Sequence, residues 1–271
     1  MQANAAQYVV RGEDASIVCQ QRDGERLVVA VVDGHGGDEV VRICKTALPS
    51  FVEAHTANVV PTPSEFVRIF ASLHEACAGR HSGAVVTACV IERASGRLGC
   101  ANVGDVLCAI VSASSHAIMH TSHRLQDNAA ERQRLSCSLG DHGPPRLYPG
   151  GLSCSRCIGD YDCPRASCEP AIAYATLGPS ETLVLASDGL WESRSMKNLA
   201  RVVRATRCAA SLVQTQRQYP DDATAVIVAF RPPAPRTSFA GWLFRTGSSS
   251  SSDDDETWQT PHQSTVVTVP L

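Results

Sequence analysis

The sequence predicts an α+β fold in which layered antiparallel sheets are covered by helices. Three observations carry this expectation. Short apolar runs rich in valine and isoleucine recur from about residue 8 to residue 231. Helical periodicity comes in neighbouring pairs rather than between every two strands, as alternating βαβ units would require. Arg93-Ala94-Ser95-Gly96 joins two of the apolar runs in the manner of a hairpin turn.

Taken in order, residues 15–18 read as an early strand. Residues 28–32, all valine or alanine, read as a buried strand that stops abruptly at Asp33-Gly34-His35-Gly36-Gly37. Val40, Ile43, Cys44, Ala47, Leu48, Phe51 and Val52 then recur at three- and four-residue spacing, giving a helix one apolar face. Pro49 should kink that helix or end it early. A second helix is expected over residues 64–78, capped by Ser64. Strands follow at 84–91, 98–102 and 107–111, and later at 183–186 and 225–229. Helices are expected at 197–206 and 209–218.

The 271 residues, 44% of them hydrophobic, suit one domain with a sizeable core (residues 1–235) and a tail (residues 236–271). After Pro232, Pro233 and Pro235 come a serine run at 248–252 and acids at 253–256. That composition buries too little apolar surface to offset chain entropy, so the tail is expected to be disordered. Within it, Trp242, Leu243 and Phe244 form an apolar island, read as a chance cluster or a patch resting on the domain rather than a docking motif. A net charge of −3 gives no basic footprint for nucleic acid. There is no leader-like start at Met1-Gln2-Ala3 and no apolar run of membrane-spanning length. The twelve cysteines are therefore read as reduced thiols of a cytoplasmic or nuclear protein. Cys154, Cys157, Cys163 and Cys168 come nearest to a zinc spacing, but small buried side chains are the preferred reading.

The acids carry the chemistry. Glu13 and Asp14 precede the first strand, and Asp33 ends the next. Asp105 sits in a turn between two strands. Asp160 follows Ile158-Gly159, Asp188 ends an apolar run, and Asp221 and Asp222 open the last strand. A single acid at a strand end is usually a solvated turn residue. Several that converge on one edge of a layered sheet structure repel one another unless cations neutralise them, which points to an oxygen-rich divalent metal site. His35, which titrates near neutral pH, would lie beside it.

The ordered series Glu13-Asp14, Asp33-Gly34-His35-Gly36-Gly37, Ser82-Gly83-Ala84, Asn102-Val103-Gly104-Asp105, Ser155-Arg156-Cys157-Ile158-Gly159-Asp160, the stretch from Ala186 to Glu192, and Asp221-Asp222-Ala223-Thr224 resembles the metal-dependent type 2C protein serine/threonine phosphatases. The resemblance spans Glu13 to Phe230. It implies a four-layer α/β/β/α sandwich of two antiparallel sheets flanked by helices, with two magnesium or manganese ions at one end. Asp33 would bridge the ions. Glu13 and the Gly34 carbonyl would complete one site, and Asp188 and Asp221 would hold the other. Asp105 and Glu192 match positions that form a third metal site in some members. Asp14 and Asp160 would orient metal-held waters, and His35 matches the proposed general acid. The implied reaction is hydrolysis of phosphoserine and phosphothreonine in a protein substrate by a water that the two ions share and ionise. A monomer is expected.

Some positions depart from the family pattern. Where an arginine usually grips the substrate phosphate stands Val9, with Arg11 two residues on. If the strand continues there, Arg11 is displaced by about 7 Å along the same face, and an absent grip is the favoured expectation. The usual Asp-Asn reads Asp221-Asp222, and the usual Gly-Asp-Ser-Arg reads Gly104-Asp105-Val106-Leu107. The stretch between Asp160 and Glu169 is short, which leaves a reduced substrate-side flap. The rival reading is a pseudophosphatase, the same fold used as a binding module; retention of the acids weighs against it.

Overall fold

Strand β3 (Arg26–His35) is buried along both faces, and the layers follow from it. The computed structural model describes residues 1–136, 145–147, 151–192, 195–214, 221–230 and the backbone of 265–269. On one side of β3, Val28, Ala30 and Val32 pack with Cys44 and Leu48 of α1 (Glu39–His55) and with Phe66, Ile69 and Phe70 of α2 (Pro63–Ala76). On the other side, Leu27, Val29 and Val31 meet the inner face of a second sheet. A strand with two buried faces cannot alternate apolar with polar, which is why this one reads as a continuous valine run.

The sheet containing β3 has the order β2 (Asp14–Gln20), β3, β4 (Gly83–Glu92), β5 (Arg97–Val103), β9 (Ala171–Thr176). The two-residue β8 (Ile158–Gly159) also pairs with β4. The other sheet has the order β12 (Thr265–Val269), β1 (Gln2–Tyr8), β11 (Ala223–Ala229), β10 (Thr182–Ala186), β6 (Leu107–Val111), β7 (His116–Ile118). Every pairing between neighbouring strands is antiparallel. On its outer face Val184, Ala186, Ala225 and Ile227 pack against α5 (Met196–Thr206) and α6 (Ala209–Val213) through Leu199, Val203, Leu212 and Val213. Two shorter helices among the described residues are α3 (Ala129–Arg134) and α4 (Asp188–Trp191). The result is the expected sandwich, helices outside and two sheets within.

Several local expectations change. Helix α1 runs through Pro49 to His55. The proline removes one backbone donor, but Val52 beyond it is buried in the core, so packing outweighs that loss. Helix α2 is capped by Thr62 rather than Ser64. Thr62 and Glu65 form a reciprocal capping box, with Pro63 in the first turn where its missing N–H costs nothing. Within the stretch expected to be disordered, residues 265–269 pair with β1 as an edge strand. Thr265-Val266-Val267-Thr268-Val269 is β-branched throughout, a strand signal that a reading of the tail by composition passes over. The Trp242–Phe244 island lies outside the described residues.

Candidate active site

The site forms where ends of both sheets meet. Asp14 at the start of β2 is the cross-strand partner of Asp33 near the end of β3, so the two side chains share a face. From the other sheet come Asp188, just past β10, and Asp221, just before β11. Asp105 enters from the turn between β5 and β6. Asp33, Asp105, Asp188 and Asp221 line one cleft of about 440 Å³ together with Gly34, His35, Arg11 and Arg146.

Glycines make this approach possible. A Cβ on Gly34 would lie 2.3 Å from a Val41 methyl and 2.4 Å from the Glu13 carbonyl oxygen, so only glycine fits there. A Cβ on Gly83 would fall 2.0 Å from an Asp160 carboxylate oxygen.

Crowding of like charges shows in the acidities. Burial pushes the Asp14 carboxyl up to about 7; the Thr224 and Ser187 hydroxyls pull it back, and repulsion from Asp222 and Asp188 adds a smaller push upward. Burial, then repulsion from Asp188, lifts Asp105 to about 6. Asp33 is raised far above the carboxylate range by burial and by Asp14, Asp188, Asp105 and Asp221. Asp188 is raised by burial and by Asp221, while Arg124 pulls it back. One Asp14 oxygen is buried with no hydrogen-bond partner. Among the described residues no three of these carboxylates bring oxygens mutually within 4.8 Å. An all-oxygen, strongly anionic donor set with an orphaned carboxylate oxygen fits hard divalent cations such as magnesium or manganese.

His35 stands at the rim of the cleft. Its Nε2 lies 2.8 and 2.9 Å from the two oxygens of Asp160. Burial lowers the imidazole's pKa, but the Asp160 hydrogen bond and charge outweigh it, with help from Glu13 and Asp105, so the net shift is upward. Asp160 does not line the cleft among the acids. It holds His35 instead, from a left-handed backbone conformation (φ 52°) that follows Gly159.

The other expected residues fall into place unevenly. Glu13 accepts a hydrogen bond from the Gly37 N–H at 2.7 Å, with its carbonyl against Gly34. Glu192 forms an ion pair with Arg124, whose charge also acts on Asp105 and Asp188. Arg156 pairs with Glu131 at 2.7 Å and takes no part in the cleft. Residues 9–13 form a bend, not an extension of the strand, with Gly12 at φ 80°. The bend brings Arg11 into the cleft, 3.3 Å from Asp221.

Three contributors have no reading in the sequence, and a fourth, Asp222, reads there only as a doubled acid. Asp222 does not face the acids as an extra ligand. It accepts backbone N–H bonds from Val10, Arg11, Glu13 and Asp14, and so holds the loop that carries Arg11 and Glu13. Arg124 moderates the charge on Asp105 and Asp188. Arg146, which donates to the Gly151 carbonyl at 2.6 Å, adds a second cation to the cleft wall. The Nδ1 of His123 accepts the Gly104 N–H at 3.0 Å and fixes the turn that presents Asp105. Only the doubled acid at 221–222 gave any advance signal.

Residues 8–227 match the sequence profile of the family described as Protein phosphatase 2C. The chain belongs to the protein phosphatase 2C family. Among curated relatives, a probable protein phosphatase 2C 5 of Arabidopsis thaliana is 30% identical over 241 residues, covering 82% of this chain and 52% of that one. A protein phosphatase 2C homolog 3 of Schizosaccharomyces pombe is 28% identical over 190 residues, covering 65% of this chain and 45% of the other. The chain thus spans about half the length of the curated relatives it matches. Two solved structures share the fold. A C. elegans sex determining protein superposes with a TM-score of 0.73 at 20% identity, covering 85% of this chain and 65% of that one. A serine-threonine phosphatase 2C of Toxoplasma gondii superposes with a TM-score of 0.63 at 18% identity, covering 85% and 95%. The matched span contains every site residue named above.

Proposed function

We propose that this domain is a metal-dependent protein serine/threonine phosphatase that hydrolyses phosphoserine and phosphothreonine. The observation that carries the reading is the meeting of buried carboxylates from both sheets with the His35–Asp160 pair and two arginines round one cleft. Asp33, Glu13 and the Gly34 carbonyl would hold one magnesium or manganese ion, and Asp188 and Asp221 the other. Bound there, such ions would neutralise the acids and ionise a water near neutral pH, supplying the nucleophile.

The chain's own groups do the rest. A serine or threonine alkoxide leaves poorly; His35, whose protonated form Asp160 favours, would give it a proton. Arg11 and Arg146 supply positive charge for the phosphate oxygens. Asp222 keeps the Arg11 loop in register with the acids. The partner is a phosphorylated protein substrate, and the enzyme acts as a monomer. No helix among the described residues is long and apolar enough to cross a membrane. The eleven described cysteines are all free, which supports a reducing cytoplasmic or nuclear setting.

The test is turnover of a phosphothreonine peptide by chelator-stripped protein, with and without added manganese. Metal-dependent release of phosphate supports the enzyme. Peptide binding without release would instead establish a pseudophosphatase.

A further inference from the structure

A second cluster of metal-binding side chains lies between the two sheets, apart from the acids. Cys89 on β4 and Cys100 on β5 are direct cross-strand partners, and both point into the inter-sheet core. Cys108 on β6 faces them from the other sheet. All three are completely buried. Their sulfurs lie mutually within 4.8 Å, and those of Cys89 and Cys108 are 3.6 Å apart. In a tetrahedral zinc site with Zn–S bonds of about 2.3 Å, the sulfurs sit about 3.8 Å from one another. The trio therefore already has nearly the spacing of three corners of such a site.

A fourth donor stands nearby. His120 follows β7, close enough to Cys100 for the two to influence each other's ionisation. Both of its ring nitrogens are buried without a hydrogen-bond partner; the ring lies near the Thr121 backbone but outside hydrogen-bond geometry. An imidazole buried in that way is costly unless something takes its lone pair. Within the trio, hydrogen bonds from the Cys108 and Cys89 thiols hold the Cys100 thiol well below its ordinary range, while Cys89 and Cys108 are themselves pushed well above it. The zinc-like spacing at Cys154, Cys157, Cys163 and Cys168 does not assemble; among the described residues Cys89, Cys100 and Cys108 alone form such a group.

We propose that Cys89, Cys100 and Cys108 bind one zinc ion between the sheets, with His120 closing on it as the fourth ligand. Sulfur and imidazole select zinc as surely as the carboxylate cleft selects magnesium or manganese, so the two sites do not compete for one metal. The ion would tie β4 and β5 to β6 in the opposite sheet. Cys100 and Cys108 flank the turn carrying Asp105, so the same ion would steady one wall of the cleft from behind.

The test uses the full chain, purified reduced and dialysed against a chelator that strips the carboxylate cleft. Zinc is counted by elemental mass spectrometry, and cobalt(II) is then exchanged in and its near-ultraviolet absorption recorded. Thiolate-to-cobalt charge transfer cannot come from carboxylates. The expected result is one zinc per chain and a thiolate band that persists in Asp33→Asn, disappears in Cys100→Ala and weakens in His120→Ala. A folded wild-type chain with neither retained zinc nor a thiolate band overturns the proposal, and that measurement needs no variant. Retention of the band in Cys100→Ala overturns it as well. So does a chain that is two mass units light with a pair of these cysteines resistant to alkylation, since that is a disulfide.

Discussion

His35 Nε2 sits 2.8 and 2.9 Å from the two carboxylate oxygens of Asp160, 125 residues away in the chain. A carboxylate accepting from an imidazole in this way favours the protonated ring, and a protonated ring is what an alkoxide leaving group needs. His35→Gln should therefore cost roughly 10²-fold on phosphothreonine peptides. The cost should be much smaller on an aryl phosphate, whose phenolate leaves unaided. Asp160→Asn should reproduce the same imbalance more mildly. Equal losses on both substrates, with a lower melting temperature, would assign the pair to packing instead.

Asp33 bears the greatest repulsion of the cleft acids, being raised by four neighbours besides burial. Asp33→Asn should abolish phosphatase activity while leaving the fold intact. In chelator the variant should melt at or above the wild-type temperature, because one like charge is gone. Added manganese should raise the melting temperature of wild type by several degrees and that of the variant little. Calorimetry in chelator and in excess manganese measures both effects, and full activity of the variant in manganese would defeat the two-metal assignment.

Arg11, not an arginine at position 9, reaches the cleft. The strand-based expectation of an absent grip assumed an extended backbone that the bend at residues 9–13 replaces. Charge-assisted contacts to phosphate are worth about 1.5–3 kcal/mol, and about 1.4 kcal/mol is one decade. Arg11→Ala should accordingly raise KM for phosphopeptides roughly tenfold. Val9→Arg should change it little. Steady-state kinetics on the two single variants decides between the grip at 11 and its absence.

Glu131 gives a pH-dependent test of the domain away from the acids. Burial alone would raise its pKa, but Arg156, Arg134 and the Ser155 hydroxyl pull it from 4.5 down to about 2. The depressed value means that its stabilisation is present above pH 4.5 and is lost as pH falls towards 2. Glu131→Gln should lower the melting temperature at pH 7 by several degrees. The difference from wild type should shrink steadily between pH 4.5 and pH 2. A difference that stays constant over that range would mean the glutamate's charge is not what stabilises the domain.

How much of this was legible depended on whether pattern or tertiary pairing decides an element. Residues 28–32 and 107–111 read correctly because apolar strands buried in a sandwich leave a strong run of valine and isoleucine. Strand β1, Gln-Ala-Asn-Ala-Ala-Gln-Tyr, carries no such run; it is a strand because β11 and β12 pair with it on either side. Asp33, Asp105 and Asp188 could be anticipated because an adjacent glycine marks each, and Asp221 because a second acid follows it at the start of an apolar run. Arg124, Arg146 and His123 come from irregular segments, where neither periodicity nor a turn signal gives a side chain its destination. The pairing of Asp160 with His35 was not legible for a related reason: only the fold shows that the missing Cβ of Gly83 leaves room for the Asp160 carboxylate.

The four backbone N–H groups gathered by Asp222 bear on timing as much as on position. A loop that had to be ordered when substrate arrived would give up chain entropy of about 1–2 kcal/mol per residue at that moment. Here residues 10–14 are ordered in advance, by a side chain that itself never enters the cleft. The position of Arg11 is thus settled during folding, and a phosphate group gripped there as proposed would meet a preformed receptor.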